Sequence, residues 1–135
     1  MFLSGTKFFD YTTDNRSNGY EPNFRWTKPS VSLANEANYS DGHCYAFTYK
    51  ALKLGTLIGM PTPGTCTFAG WETLQDGLRW GVPGLGVKDV TTGRYLENQQ
   101  TVPDITLMND FGIVSKGKDQ QLEAAVTLLL KAIKP

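Results

Sequence analysis

The spacing of apolar positions along this chain changes several times, and each change predicts an element. Residues 1–28 mix aromatic and polar side chains, with Asn15, Asn18, Gly19 and Pro22 marking turns. Phe8 to Thr12 and Phe24 to Thr27 are predicted as short strands flanking that loop. After Pro29, Val31 to Ala37 sets Val31, Leu33 and Ala34 among polar residues, the pattern of a strand entering a core. From Asp41 to Leu54 the spacing turns helical: Cys44, Phe47, Ala51 and Leu54 recur at steps of three and four, and Gly55 stands where a C-cap belongs. Thr56 to Met60 is a β-prone run stopped by Pro61 and Pro63, and residues 61–77 are predicted as a Gly/Pro/Thr-rich loop. Leu78 to Val90 reads as extended but broken at Pro83-Gly84, with further extended pieces at Tyr95 to Glu97 and Val102 to Met108. A closing helix follows Asp119 as N-cap, with Leu122, Ala125, Val126, Leu129, Leu130 and Ile133 in one apolar stripe. Strand–helix–strand alternation without internal repeats predicts an α/β fold.

Composition narrows the function classes. The 135 residues are 40% hydrophobic and 19% charged, an ordinary globular balance for one domain. Thirteen basic residues offset thirteen acidic ones, so the chain lacks the basic footprint of a nucleic-acid binder, and no nucleic acid is expected as partner. Two cysteines and one histidine, His43, are too few for a four-ligand zinc site, and no metal or cofactor is implied. Cys44 and Cys66 are expected as two buried free thiols, with a single bridge as the alternative. No apolar run of about 18 residues is present, so no membrane span is predicted. Met1 to Asp10 lacks the basic–apolar–small order of a signal peptide, and any export signal is expected to belong to residues outside these 135.

The chemistry-bearing stretch is Asn35-Glu-Ala-Asn-Tyr-Ser-Asp-Gly-His-Cys-Tyr45. Ser40 stands between a strand and the first turn of a helix, where the leading N–H groups lack internal partners and the macrodipole adds positive potential. An oxyanion forming beside Ser40 would meet the N–H of Asp41 or Gly42, and such donors supply roughly 3 to 4 kcal/mol each in acyl transfer. Gly42 leaves room for a substrate backbone. The plain alternative is a serine N-cap, since serine is among the commonest residues there.

Resemblance shifts that balance. Lys28-Pro-Ser-Val-Ser-Leu-Ala-Asn-Glu-Ala-Asn-Tyr-Ser-Asp-Gly42, Leu57-Ile-Gly-Met-Pro-Thr-Pro-Gly64, Gly86-Val-Lys-Asp89, Tyr95-Leu-Glu-Asn98 and Val102-Pro-Asp104 resemble, in order and spacing, the tail-specific (C-terminal-processing) serine peptidase family, in its tricorn-like branch. Gly-Lys-Asp-Gln-Gln-Leu-Glu-Ala-Ala-Val126 resembles the closing helix of that domain. The resemblance implies a ClpP/crotonase-like spiral of β-β-α units, truncated at the N-terminal side, with residues 1–135 as the C-terminal portion of one peptidase domain. It implies Ser40 as the catalytic nucleophile, the Asp41 backbone N–H as oxyanion donor, and Glu97 as the acid orienting the catalytic apparatus, on a peptide or protein substrate. Gly42 is a candidate substrate-binding position.

The departures matter equally. The family's Ser/Lys branch places its lysine at a position that falls on Thr65, which disfavours that mechanism. The tricorn-like mechanism needs a histidine base, which in that branch lies upstream of the nucleophile. His43, three residues after Ser40, is read as satisfied or solvent-facing rather than as the base. The chain is therefore expected to need the missing N-terminal half of the domain or an oligomer partner, and to show little peptidase activity alone. An inactive peptide-binding pseudoenzyme and a secreted β-rich interaction domain are the competing readings. Resemblance favours the bacterial periplasm or cell envelope. Trp26, Trp71 and Trp80 are read either as core or as surfaces facing the missing half.

Overall fold

A computed structural model describes residues 9–13, 16–21, 26 and 28–133. In chain order the elements are β1 (Phe9–Thr13), β2 (Arg16–Glu21), β3 (Val31–Ala34), α1 (Asp41–Ala51), β4 (Thr56–Gly59), β5 (Thr67–Thr73), β6 (Arg79–Gly86), β7 (Ile105–Thr106) and α2 (Gln120–Ile133), with a short 3-10 turn at Val114–Lys116. This is a mixed α/β arrangement. β1 and β2 pair antiparallel, Phe9 opposite Glu21. Asn18 and Gly19, expected at turns, lie inside β2, where strand pairing overrides their local preference. The extended piece expected at Phe24 to Thr27 lies, apart from Trp26, outside the described residues.

The central sheet has the order β3-β4-β7, all parallel, with Leu33 opposite Ile58 and Ile58 opposite Ile105. β4 is the middle strand, so Leu57 and Ile58 are fully buried, each contributing about 1.5–3 kcal/mol of apolar transfer energy. Gly59, at φ 129°, passes so close to the Ala34 carbonyl that any Cβ there would collide with it. A parallel pair needs a crossover, and α1 supplies it between β3 and β4.

The face of α1 that meets the sheet differs from the expected one. His43, Ala46 and Tyr49 are buried, whereas Cys44 and Phe47 are half-buried and Ala51 is exposed. Polar atoms permit this: the Tyr49 hydroxyl pairs with Ser30 Oγ at 2.8 Å, and His43 Nδ1 pairs with Thr62 Oγ1. The helix stops earlier than predicted, with Leu52 as C-cap and Lys53 at φ 52° taking the left-handed position expected for Gly55. Gly55 serves close packing instead, because a Cβ there would strike the Ser30 carbonyl and the Tyr49 hydroxyl.

The cysteines also depart from expectation. Cys44 and Cys66 form a disulfide, with Cα atoms 5.7 Å apart, and are not free thiols. The chain folds back after β4, which brings α1 and the start of β5 within bridging distance.

Residues 67–73, expected in a loop, form β5, paired antiparallel with β6. Thr67, Phe68, Trp71 and Thr73 are β-prone, and the turn between the strands is closed by Gly77 at φ 83° and by Leu78 N–H donating to Asp76 Oδ1 at 3.0 Å. The expected break at Pro83-Gly84 does not end β6. The register shifts between Phe68 and Ala69, and proline is tolerated at such an irregularity in a two-stranded ribbon. Tyr95 makes a single bridge to Lys88, and the extended stretch at Val102 to Met108 narrows to β7.

α2 packs on β3 and β4. Asp119 caps it as predicted, its Oδ1 accepting the Leu122 N–H at 3.1 Å. Only Ala125 of the predicted stripe is buried; Leu122, Val126, Leu130 and Ile133 are exposed. Among the described residues no helix is long and apolar enough to cross a membrane.

Candidate functional site

The turn from β3 to α1 is built by asparagines. Asn38 Oδ1 accepts the Asn35 N–H at 2.7 Å, and Asn35 Oδ1 accepts the Ala37 N–H at 2.9 Å. The chain emerges at Ser40 with φ 53° and ψ −117°, a conformation costly for any residue with a Cβ. Ser40 is the residue before the helix, yet its side chain makes no capping hydrogen bond. It is thus the N-cap by position, with its carbonyl accepting the His43 and Cys44 N–H groups, but not through its hydroxyl. The backbone strain and the uncapped hydroxyl, without a partner among the described residues, set this serine apart from an ordinary side-chain cap.

The backbone amides around it are partly committed. Gly42 N–H donates to the Tyr39 carbonyl at 3.0 Å, and His43 N–H to the Ser40 carbonyl at 2.9 Å. The Asp41 N–H has no acceptor among the described residues. Of the two amides considered from sequence, Asp41 is thus the available donor and Gly42 is not. Gly42 also does not border the cleft described below, and a Cβ on it would sit 3.4 Å from Asn38 Nδ2. Its expected role in receiving substrate gains nothing from this placement.

Ser40 is anchored from the segment preceding β5. Its N–H donates to Thr65 Oγ1 at 3.0 Å. Two residues on, Thr67 Oγ1 donates to Glu97 Oε2 at 2.6 Å, and the intervening Cys66 N–H donates to the same oxygen at 3.0 Å. Glu97 arrives there because its loop lies tightly against this segment. Asn98 N–H donates to the Gly64 carbonyl at 2.7 Å, and Gly64 (φ 81°) admits no Cβ against Gln99. Asn98 itself takes φ 60°. Residues 65–67 therefore hold Ser40 with one threonine and Glu97 with the next, while Cys66 between them is tied to Cys44 on α1.

The result is a cleft of about 220 Å³ bordered by Tyr39, Ser40, Thr65, Thr67, Ala69, Trp71, Gly81, Pro83 and Glu97. Ser40 and Glu97, the two side chains singled out from sequence, share it. Thr65, Thr67 and Trp71 were not assigned to the site: Thr65 entered only as the position lacking the Ser/Lys branch's lysine, and Trp71 only as core or an uncovered surface. Their signal was a period of two through 65, 67, 69 and 71, obscured by the Gly/Pro/Thr composition of the region.

His43 is neither solvent-facing nor fully satisfied, which corrects the expectation. It is 0% exposed, Nδ1 pairs with Thr62 Oγ1, and Nε2 is buried with no partner among the described residues. Burial disfavours the imidazolium and lowers the pKa below its ordinary value, against a smaller upward pull from the Glu97 charge. His43 does not border the cleft, and it is the chain's only histidine.

Comparisons with known proteins bear on the family and the fold. The model of peptidase family S41 matches residues 4–107. The chain is 31% identical over 103 residues to the tricorn protease of Thermoplasma volcanium, covering 76% of this chain and 10% of that protein. It is 32% identical over 113 residues to the tricorn protease homolog of Saccharolobus solfataricus, covering 83% and 11% respectively. The crystal structure of the tricorn protease superposes with a TM-score of 0.73 at 26% identity, covering 94% of this chain and 13% of that one. The chain thus spans about a tenth of the length of the relatives it matches.

Proposed function

Because the chain belongs to peptidase family S41, we propose that it serves serine-type hydrolysis of peptide bonds, with Ser40 as the nucleophile. Ser40 Oγ attacks the scissile carbonyl carbon, forming an ester as the C–N bond breaks; its proton passes to a base and on to the leaving amine. The Asp41 N–H faces the charge that develops on the carbonyl oxygen, a contribution of roughly 3 to 4 kcal/mol. Glu97 orients the base, and water then hydrolyses the acyl-enzyme. The base is an imidazole from polypeptide other than these 135 residues, because His43 is enclosed beside Thr62. That polypeptide is the N-terminal half of the domain or an oligomer partner, and the complete fold is a ClpP/crotonase-like spiral with C-terminal-processing activity. The Cys44–Cys66 bridge favours an oxidising compartment, in keeping with the bacterial periplasm or envelope.

The observation that carries the reading is Ser40 itself: φ 53°, ψ −117°, and a side chain that caps nothing, in a cleft shared with Glu97. The test is fluorophosphonate modification followed by peptide mapping, with and without added imidazole to stand in for the missing base. A Ser40 adduct that forms faster with imidazole, and that is absent in Ser40→Ala, is the expected result. Adducts spread over other serines, or none at Ser40 under either condition, would sink the reading. One observation favours a second reading, an inactive peptide-binding scaffold: no described residue supplies a base to the Ser40 hydroxyl. An adduct at Ser40 unaffected by imidazole and no faster than at an exposed serine supports that alternative.

A further inference from the structure

Resting on the peptidase reading above, we propose that Trp71, seated against Gly81 beside Pro83, forms a subsite that selects a large apolar side chain of the peptide substrate, at a residue flanking the scissile bond.

Strand alternation provides the first argument. Cross-strand partners share a face of the β5–β6 hairpin, and Ala69 pairs with Pro83 while Trp71 pairs with Gly81. These four border the cleft that contains Ser40 and Glu97. The opposite face carries Phe68, Trp80, Val82 and Leu85, none of which borders it. The hairpin therefore continues the cleft away from Ser40 as a wall made of small and apolar residues.

The position of the indole is specified rather than incidental. A Cβ built on Gly81 would come within 3.1 Å of Trp71 Cε3 and Cζ3, closer than ordinary packing permits, so the ring rests on the bare backbone of Gly81. The Arg79 guanidinium stands 5.3 Å from the ring centroid and restrains it further by cation–π attraction. Even so, Trp71 is 62% exposed. A large aromatic surface held in one place, on the side of the cleft and open to solvent, is a shelf for another apolar group. An extended peptide whose carbonyl reaches Ser40 turns alternate side chains toward that wall. Because the ring is preorganised, little ordering entropy opposes binding on it.

The charge on Arg79 sets up the competing occupant, an acidic side chain, and the experiment separates the two. Fluorescein-labelled hexapeptides of one sequence, carrying Leu, Ala or Glu at each position in turn, are titrated by fluorescence anisotropy. The protein is the Ser40→Ala variant, which prevents turnover, alone and combined with Trp71→Ala, Trp71→Phe or Trp80→Ala. Expected is one position at which Leu is preferred over Ala by about tenfold, the lower end of what one methylene gains in an enclosed apolar pocket, as suits an open shelf. That preference should vanish with Trp71→Ala and persist with Trp71→Phe and with Trp80→Ala, which alters only the far face of the same hairpin. An unchanged preference in Trp71→Ala, a preference for Glu, or no peptide binding would overturn the subsite. Failure of the nucleophile is read separately: a Ser40 adduct with no Trp71-dependent preference removes the subsite alone, whereas a Trp71-dependent preference without any adduct removes the peptidase reading.

Discussion

The backbone at Ser40 makes a prediction that runs opposite to usual substitution behaviour. Replacing a residue with glycine normally destabilises a fold, by roughly 0.5–1 kcal/mol, because glycine loses more chain entropy on folding. At φ 53° and ψ −117°, however, any Cβ carries a conformational cost on the order of 1–3 kcal/mol, and glycine removes it. Alanine is the proper reference, since Ser40→Ala deletes the hydroxyl but keeps the Cβ. It sacrifices no cap, because the hydroxyl makes no capping hydrogen bond. Setting the relieved strain against the entropy gives Ser40→Gly a net advantage of about 1 kcal/mol over Ser40→Ala. In a domain of this size that corresponds to a melting point about 3 °C higher, or a matching shift in urea midpoint at unchanged slope. Both variants should lose the fluorophosphonate adduct. If Ser40→Gly proves no more stable than Ser40→Ala, the backbone is not strained there, and the argument that strain is retained to present the hydroxyl fails.

Three further outcomes follow from neighbouring contacts. The Cys44–Cys66 bridge closes a loop of sequence separation 22, so its reduction should cost about 3 kcal/mol in chain entropy, read from urea midpoints with and without reductant. His43 has a lowered pKa because burial disfavours its charge, while the unfolded chain keeps the ordinary 6.5. As pH falls through 6.5 the unfolded state takes up a proton more readily than the fold does, so stability should decline below that pH and the decline should be shallower in His43→Leu. Asp104 does not confuse that window, because its pKa is lowered from 3.8, first by the Leu57 N–H and then by Lys50. Asp104→Ala leaves the Leu57 N–H, now bonded at 2.8 Å, without its acceptor and should cost about 1–3 kcal/mol in a urea melt, more than Lys50→Ala, which removes a half-exposed ion pair worth at most about 1 kcal/mol and a solvent-exposed hydrogen bond to the Val102 carbonyl, whose oxygen water can then serve.

The elements that were legible in the sequence are those whose own apolar period marks them, even where their partners are distant in the chain. β3, α1, β4 and the Asp119-capped α2 follow from changes of apolar period, and Ser40 at the strand-to-helix turn follows with them. The phase of α1 was misread because His43 and Tyr49 look like surface residues. They are buried because Thr62 and Ser30, both nineteen positions away, satisfy their polar atoms. β5 was hidden by the Gly/Pro/Thr composition of residues 61–77, since a hairpin strand is specified by its partner as much as by itself. The Cys44–Cys66 bridge was missed because only the fold-back after β4 brings the two cysteines together. The position of Ser40 at the strand-to-helix turn is local, but its reading as nucleophile rather than cap came from resemblance. Glu97 was found through resemblance, because no local pattern predicts that a carboxylate thirty residues downstream docks onto Thr67.

That division has a chemical consequence. The carboxylate of Glu97 is received by Thr67 and by the Cys66 N–H, the Ser40 backbone by Thr65, and Cys66 is bonded covalently to the helix that Ser40 introduces. Three consecutive residues thus set the relative position of the proposed nucleophile and the proposed acid. The Ser40 backbone and the Glu97 carboxylate, both held by one short segment, move together if that segment moves, so its displacement need not separate them. The base enjoys no such linkage if it comes from other polypeptide, and its alignment must be set by whatever contact docks that polypeptide on the cleft. Assembly, rather than local folding, is then the step at which activity is gained or lost, and the threonines at 65 and 67 are where it would be felt from this side.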